Sequence, residues 1–283
     1  MLLLLLAALA TAFAGWRLWR RLRFFLHMAQ LEGYRPSRLR HWLWGHRALL
    51  MRPSHVAGLV VLGGAMLLWG SAAAWTVTTA ALILWPLLFI SSRRYRSARE
   101  KKPLAFTARL QRLLGTATVL ALLAVGTGAA AGGLIGAPEG YLAFLAGLLL
   151  ADLGAPLWVV AAAALNLPVE RYVQEGFKRQ ARNTIRNRPD VLVLGITGSY
   201  GKTSTKFIVA EILRQRFNVC ATPSSYNTPM GLCIVINNTL QPEHQVLVLE
   251  MGIRYPGDIA ELCAIAQPEL AIVTSVGPAH LET

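Results

Sequence analysis

The sequence predicts an α-helical membrane region over residues 1–167, a juxtamembrane linker helix over 168–190, and an α/β domain with a mainly parallel, doubly wound sheet over 191–283. Three observations predict it. Long apolar runs with very few charges fill the first part. Val191 to Lys206, VLVLGITGSYGKTSTK, reads as a buried strand, a glycine-rich loop and the start of a helix. Beyond it, short apolar strands alternate with helical stretches to the end of the chain, the pattern of a parallel sheet with helices between its strands.

The apolar runs are Leu2 to Trp16, Val56 to Ile90, Leu113 to Ile135 and Tyr141 to Leu165. A bilayer core needs about 20 residues of helix, so the second run is read as two spans with a turn near Gly70 to Ala74. Five spans result: 2–16, 56–71, 74–90, 113–135 and 141–165. A chain that is 54% hydrophobic with a formal charge of +14 and a mean hydropathy of +0.45 is, as a class, a basic membrane protein. Nine arginines lie in residues 17–54, eight Lys or Arg in 91–112 and six in 166–190, leaving five for the remainder. Basic residues confined to alternate loops follow the positive-inside rule. They put the N-terminus outside and everything after Leu165 inside, so the expected localisation is the cytoplasmic membrane, multi-pass, with the α/β domain in the cytoplasm and the lipid bilayer as a partner. A cleaved signal peptide over Leu2 to Ala14 fits less well, because its basic residues would follow the apolar run. Nucleic acid is not an expected partner, since the aromatics sit in and beside the apolar runs and not among clustered basic residues.

Within the predicted spans, Asp152 is the one acid and has no basic partner in the adjoining sequence. Gly63, Gly64, Gly126, Gly128, Gly132 and Gly133 offer sites of close helix packing. His27, His41, His46 and His55, in or beside the first basic loop, read as interfacial polar residues. Cys220, Cys233 and Cys263 show no metal-ligand spacing and read as buried free thiols.

In the linker, PVERYVQEGFKRQARNTIRNRPD carries mixed charge at helical spacing and reads as a helix along or just off the membrane. Strands follow at 191–196, 218–221, 245–250 and 270–275, and helices at 203–216, 229–238 and 256–266. The loop between the first strand and helix has the parts of a P-loop: glycines that let backbone N–H groups converge on phosphate oxygens, a lysine for the β and γ phosphates, and a hydroxyl for Mg²⁺. Gly198, Ser199, Tyr200, Gly201, Lys202, Thr203 and Ser204 are therefore the candidate ATP-binding residues. The usual first glycine falls on Ile196, with Gly195 one residue earlier. Glu250 closes the apolar strand VLVL, where a carboxylate can share Mg²⁺ with Thr203. The same position also suits an acid ahead of the next helix.

The segment T-G-S-x-G-K-T-S after an apolar strand resembles the ATP-binding loop of the Mur ligases, the ATP-dependent amide-forming enzymes of peptidoglycan synthesis. SYNTPMGL (Ser225 to Leu232) resembles that family's substrate-side loop, with Asn227 and Thr228 as its polar residues. VLVLEMGIRYPGDIAEL (Val246 to Leu262) resembles its strand with a metal-binding glutamate, and AIVTSVGPAHLE (Ala271 to Glu282) the strand and loop ending in a metal-binding histidine. EMG, GDI and HLE are most like the branch that joins D-alanyl-D-alanine to a muramoyl tripeptide. The resemblance covers the last third of the chain only.

It implies ATP and Mg²⁺ as cofactors, a carboxylate-bearing cell-wall precursor and an amino-acid or dipeptide amine as partners, and an acyl phosphate as intermediate. Lys202, Glu250 and His280 would be catalytic, and Thr203, Glu250 and His280 metal-binding. Ser275 stands where the family has asparagine. The family's remaining ATPase sequence, its modified lysine and its third domain are expected beyond Thr283, which makes the α/β domain partial and lone turnover unexpected. A same-superfamily ligase acting on a polyglutamate or cyanophycin-like carboxylate, and a non-catalytic nucleotide-binding membrane scaffold, are the alternatives.

Overall fold

The structure is a computed structural model, and it describes residues 1–90, 103–224, 226–253 and 255–277. The chain divides into two compact units, Met1–Pro168 and Val169–Thr283.

The first unit is helical. Its helices are α1 (Leu2–Leu31), α2 (Pro36–Gly45), α3 (Pro53–Leu67), α4 (Ala74–Ile90), α5 (Ala108–Ile135), α6 (Gly140–Leu153) and α7 (Ala155–Leu165). Among the described residues α1 and α5 are long and apolar enough to cross a membrane, and α6 with α7 would make a third as one broken span; α3 and α4 are shorter apolar helices. The first expected span ends at Trp16, yet α1 continues to Leu31 and carries Arg17, Arg20, Arg21 and Arg23 within it. Those arginines are therefore helical and not part of a loop, and Arg17 and Arg21 are buried.

The run expected as one span over 141–165 is broken, with α6 and α7 meeting at 64°. Pro156 in the first turn of α7 has no N–H to donate to a preceding turn, which favours a new helix start there. The indole N–H of Trp158 donates to the Ala151 carbonyl across the break at 3.0 Å. Helices α5 and α6 pack at glycines: a Cβ on Gly132 would lie 2.4 Å from the Gly140 carbonyl oxygen, and one on Gly128 2.7 Å from the Gly147 Cα. Gly63, Gly64, Gly126 and Gly133 meet nothing within 4 Å.

The second unit holds helices α8 (Leu167–Arg186), α9 (Lys202–Arg214), α10 (Pro229–Asn238) and α11 (Asp258–Ala266), and strands β1 (Leu192–Thr197), β2 (Val219–Ala221), β3 (Val246–Glu250) and β4 (Leu270–Val273). The strands form one parallel sheet in the order β2-β3-β1-β4. Because side chains alternate along a strand, β3 sends Leu247 and Leu249 into a core with α10 and α11, and Val246 and Val248 into a core with Ala210 of α9.

Helix α8, expected as a linker along or just off the membrane, packs against the second unit. Its Ala181 and Ile185 pack into the core shared with α10 and α11, and Lys178 bonds Glu261 of α11 at 2.5 Å. Its polar and apolar residues separate into faces, so the apolar face is available to cover the sheet. Just beyond it, Arg188 donates to the carbonyls of Gln241, Pro242 and His244, fastening the entry to β1.

Candidate functional site

The site lies at the carboxyl ends of β1 and β3, where register places Ile196 opposite Glu250. Open parallel sheets bind ligands at these ends. Strand β1 runs into Gly198, whose φ of +136° is accessible to glycine, and then to Gly201, a left-handed residue with φ +79° that caps α9. A Cβ on Gly198 would meet Thr274 Oγ1 at 2.2 Å, so the loop and the chain after β4 close on each other.

That neighbouring chain holds the loop. Ser199 N–H donates to the Ser275 carbonyl at 2.7 Å, and Tyr200 N–H donates to Ser275 Oγ at 3.1 Å. Thr274 Oγ1 donates to the Tyr200 carbonyl at 2.6 Å, and Ser199 Oγ to that of Gly277 at 2.9 Å. The N–H groups of Ser199 and Tyr200 thus face the 274–277 segment. The N–H groups at the head of α9, from Lys202 to Ser204, precede the first intrahelical bond, Thr205 N–H to Gly201 at 2.9 Å. A helix start of this kind has donors and a positive dipole end suited to an anion. The Lys202 ammonium turns onto the loop's own carbonyls, Gly198 at 2.5 Å and Ser199 at 3.2 Å. Serine at 275 supports the loop through its hydroxyl and backbone. Strand β4 ends at Val273 and not at 275, because residues 274 and 275 bond the loop.

Glu250 is almost wholly buried. Its Oε1 accepts from Asn227 Nδ2 at 3.0 Å and its Oε2 from Lys206 Nζ at 3.1 Å, while its own N–H donates to Thr222 Oγ1 at 3.0 Å. Asn227 and Glu250 therefore meet. Thr228 caps α10, its hydroxyl accepting from the Gly231 N–H at 3.2 Å. His280 lies outside the described residues. No cluster of three or more His, Cys, Asp or Glu suited to a metal occurs among the described residues. The oxygens of Glu250 and Thr203 are nonetheless of the hard kind that Mg²⁺ takes.

Sequence reasoning passed over Lys206, Thr222 and Thr274. Lys206 had a signal: it stands one helical turn after Lys202, so the two lysines share a face. Thr222 and Thr274 had none, since only the sheet brings them to the site.

A second polar cluster lies in the helical unit. Asp152, which lacks a basic neighbour in its own sequence segment, receives Arg17 Nε at 2.6 Å and has Arg21 Nε at 3.5 Å, both from α1. His55 is fully buried there: its Nδ1 accepts the Arg52 N–H at 2.9 Å, which assigns the ring proton to Nε2, 2.8 Å from Asp152.

Comparison with known proteins adds three findings. Residues 196–283 match the Mur ligase middle domain. The UDP-N-acetylmuramoyl-tripeptide--D-alanyl-D-alanine ligase of Synechocystis sp. is 40% identical over 96 residues, 34% of this chain and 21% of the relative; that of Mycobacterium leprae is 47% identical over 90 residues, 31% of this chain and 17% of the relative. The chain thus spans about a fifth of the length of these relatives. Among solved structures, MurF from Acinetobacter baumannii is 29% identical with a TM-score of 0.37, covering 38% of this chain and 24% of that one; MurF ligase from Thermotoga maritima in complex with ADP is 42% identical with a TM-score of 0.36, covering 38% and 25%.

The comparisons correct the expected localisation. The ligases matched are cytoplasmic soluble enzymes, so the multi-pass placement in the cytoplasmic membrane is not upheld, and the apolar helices stand only as a fact of length and composition. With the glycine loop, Glu250 and Asn227 at one end of a parallel sheet, residues 196–283 of this chain match the Mur ligase middle domain and are similar to that part of the tripeptide--D-alanyl-D-alanine ligases.

Proposed function

We propose that residues 191–283 are the ATP-binding part of an ATP-dependent amide-forming ligase acting on a peptidoglycan precursor, built on a doubly wound P-loop fold. The observation that carries the reading is the glycine loop entering α9 beside Glu250 at the end of the adjacent parallel strand. The proposed substrates are a muramoyl-tripeptide carboxylate and D-alanyl-D-alanine, after the relatives' names.

In this reaction the carboxylate oxygen attacks the γ-phosphorus of ATP and ADP leaves. The amine nitrogen then attacks the acyl carbon, the C–N bond forms, and phosphate leaves with the former acyl oxygen. The start of α9 binds phosphate oxygens through its N–H groups. Lys202 exchanges its loop carbonyls for the β and γ phosphates, placing positive charge where negative charge builds. Thr203 and Glu250 would hold Mg²⁺, with His280 as a further ligand by family pattern. Bound there, Mg²⁺ offsets charge on the transferring phosphoryl group. Asn227 orients the Glu250 carboxylate and faces the substrate side.

The test is equilibrium binding of a fluorescent ATP analogue with Mg²⁺ to the 283-residue chain. Lys202→Ala should weaken binding by about tenfold or more, the loss of one charge-assisted contact. Unchanged affinity would show that the nucleotide is held elsewhere or not at all.

A further inference from the structure

Lys206 is fully buried on α9, in a place where an ammonium is costly unless its donors are matched. They are matched. Nζ donates to the Ser224 carbonyl at 2.5 Å and to Glu250 Oε2 at 3.1 Å, and it lies 4.4 Å from the centre of the Phe207 ring. The three partners belong to three places: the loop after β2, the end of β3, and α9 itself. Ser224 sits in a left-handed conformation, φ +44°, and presents its carbonyl to the lysine.

We propose that Lys206 is a positioning residue for Glu250 that couples the nucleotide loop to the 222–228 segment. The inference deepens the ATP·Mg²⁺ reading and rests on it. Lys206 and Asn227 each occupy one carboxylate oxygen, and Thr222 accepts the Glu250 N–H, so the head group is fixed from both sides and at its backbone. A carboxylate oxygen accepts about two bonds, which leaves acceptor capacity for a cation. Partners of metal ligands tune affinity by orienting the ligand. Lys202 and Lys206 then divide the work on one helix face: the first meets phosphate, and the second, one turn further in, holds the carboxylate.

The experiment measures binding of the same fluorescent ATP analogue to the full 283-residue chain, first in EDTA and then over a Mg²⁺ titration. Lys206→Met should raise the half-saturating Mg²⁺ concentration by about tenfold, with affinity in EDTA changed less than twofold. A Mg²⁺ midpoint within twofold of the unsubstituted chain overturns the inference. So does an equal loss in EDTA, which marks a merely structural lysine. If Lys206→Met does not fold by circular dichroism, Lys206→Gln, which keeps one donor and loses the charge, is judged by the same two criteria. The parent reading fails separately: it falls if the unsubstituted chain binds no nucleotide, taking this inference with it, or if Lys202→Ala leaves binding intact.

Discussion

At the scale of single residues, the structure turns on polar groups that are buried and shared. Asp152 accepts from Arg17 and the His55 ring N–H and has the Arg21 guanidinium 3.5 Å away, so removing it leaves several buried polar groups facing one another. Breaking such a network from one side costs about 3–5 kcal/mol. Asp152→Ala should therefore lower the unfolding free energy of the helical unit by that amount in denaturant titration. A loss below about 1 kcal/mol, the range of an exposed pair, would show that the cluster is solvated.

Cys220 behaves in the opposite way, because burial pushes its thiol up to about 11 from an ordinary 9.0. Both folded and unfolded chains hold the proton below pH 9, so the group is neutral to stability there. Between pH 9 and about 11 only the unfolded chain releases it, and stability falls with rising pH, by up to about 1.4 kcal/mol per unit. Cys220→Ala should flatten that part of the stability curve, and an unchanged slope would assign it to other groups.

At the scale of elements, the contact of α5 and α6 depends on the absence of side chains. A Cβ at Gly140 would stand 2.2 Å from the Gly132 carbonyl oxygen, a backbone atom that cannot swing away. Gly140→Ala should part the helices and cost about 1–3 kcal/mol, the usual penalty of overpacking. Gly133→Ala, on α5 beside Gly132 but with nothing within 4 Å, should leave stability unchanged or slightly raised, since alanine favours helix. Thermal melts of the two variants test the contrast, and equal effects would remove the close approach as its cause. The sheet elements follow a different logic. Strand β3 is buried on both faces, which is why VLVL reads as a continuous apolar run and not as an alternation.

At the scale of the whole molecule, the division at Pro168 and Val169 separates a helical unit from the unit bearing the proposed nucleotide site. A ligand that binds only the folded second unit stabilises that unit by mass action, about 2.7 kcal/mol at one hundred times its dissociation constant. Calorimetry with saturating ATP analogue and Mg²⁺ should raise the transition of Val169–Thr283 and leave that of Met1–Pro168 in place. Equal shifts in both would mean that the two units unfold as one.

Much of the second unit was legible because its signals are local. The strand, glycine loop and helix of 191–206 follow from contiguous residues, and each expected strand and helix from there to 273 lies within a few residues of an observed one. Gly198 and Gly201 were legible as loop glycines, and both adopt positive φ. The tertiary structure alone decided the contacts that join distant segments. Arg17 reaches Asp152 across 135 positions, Lys206 reaches Glu250 across 44, and Ser275 holds Tyr200 across 75. No periodicity encodes those pairings, because a charged residue in an apolar helix declares only that it needs a partner. Which partner it finds depends on how helices and strands pack, and packing is a property of the assembled faces.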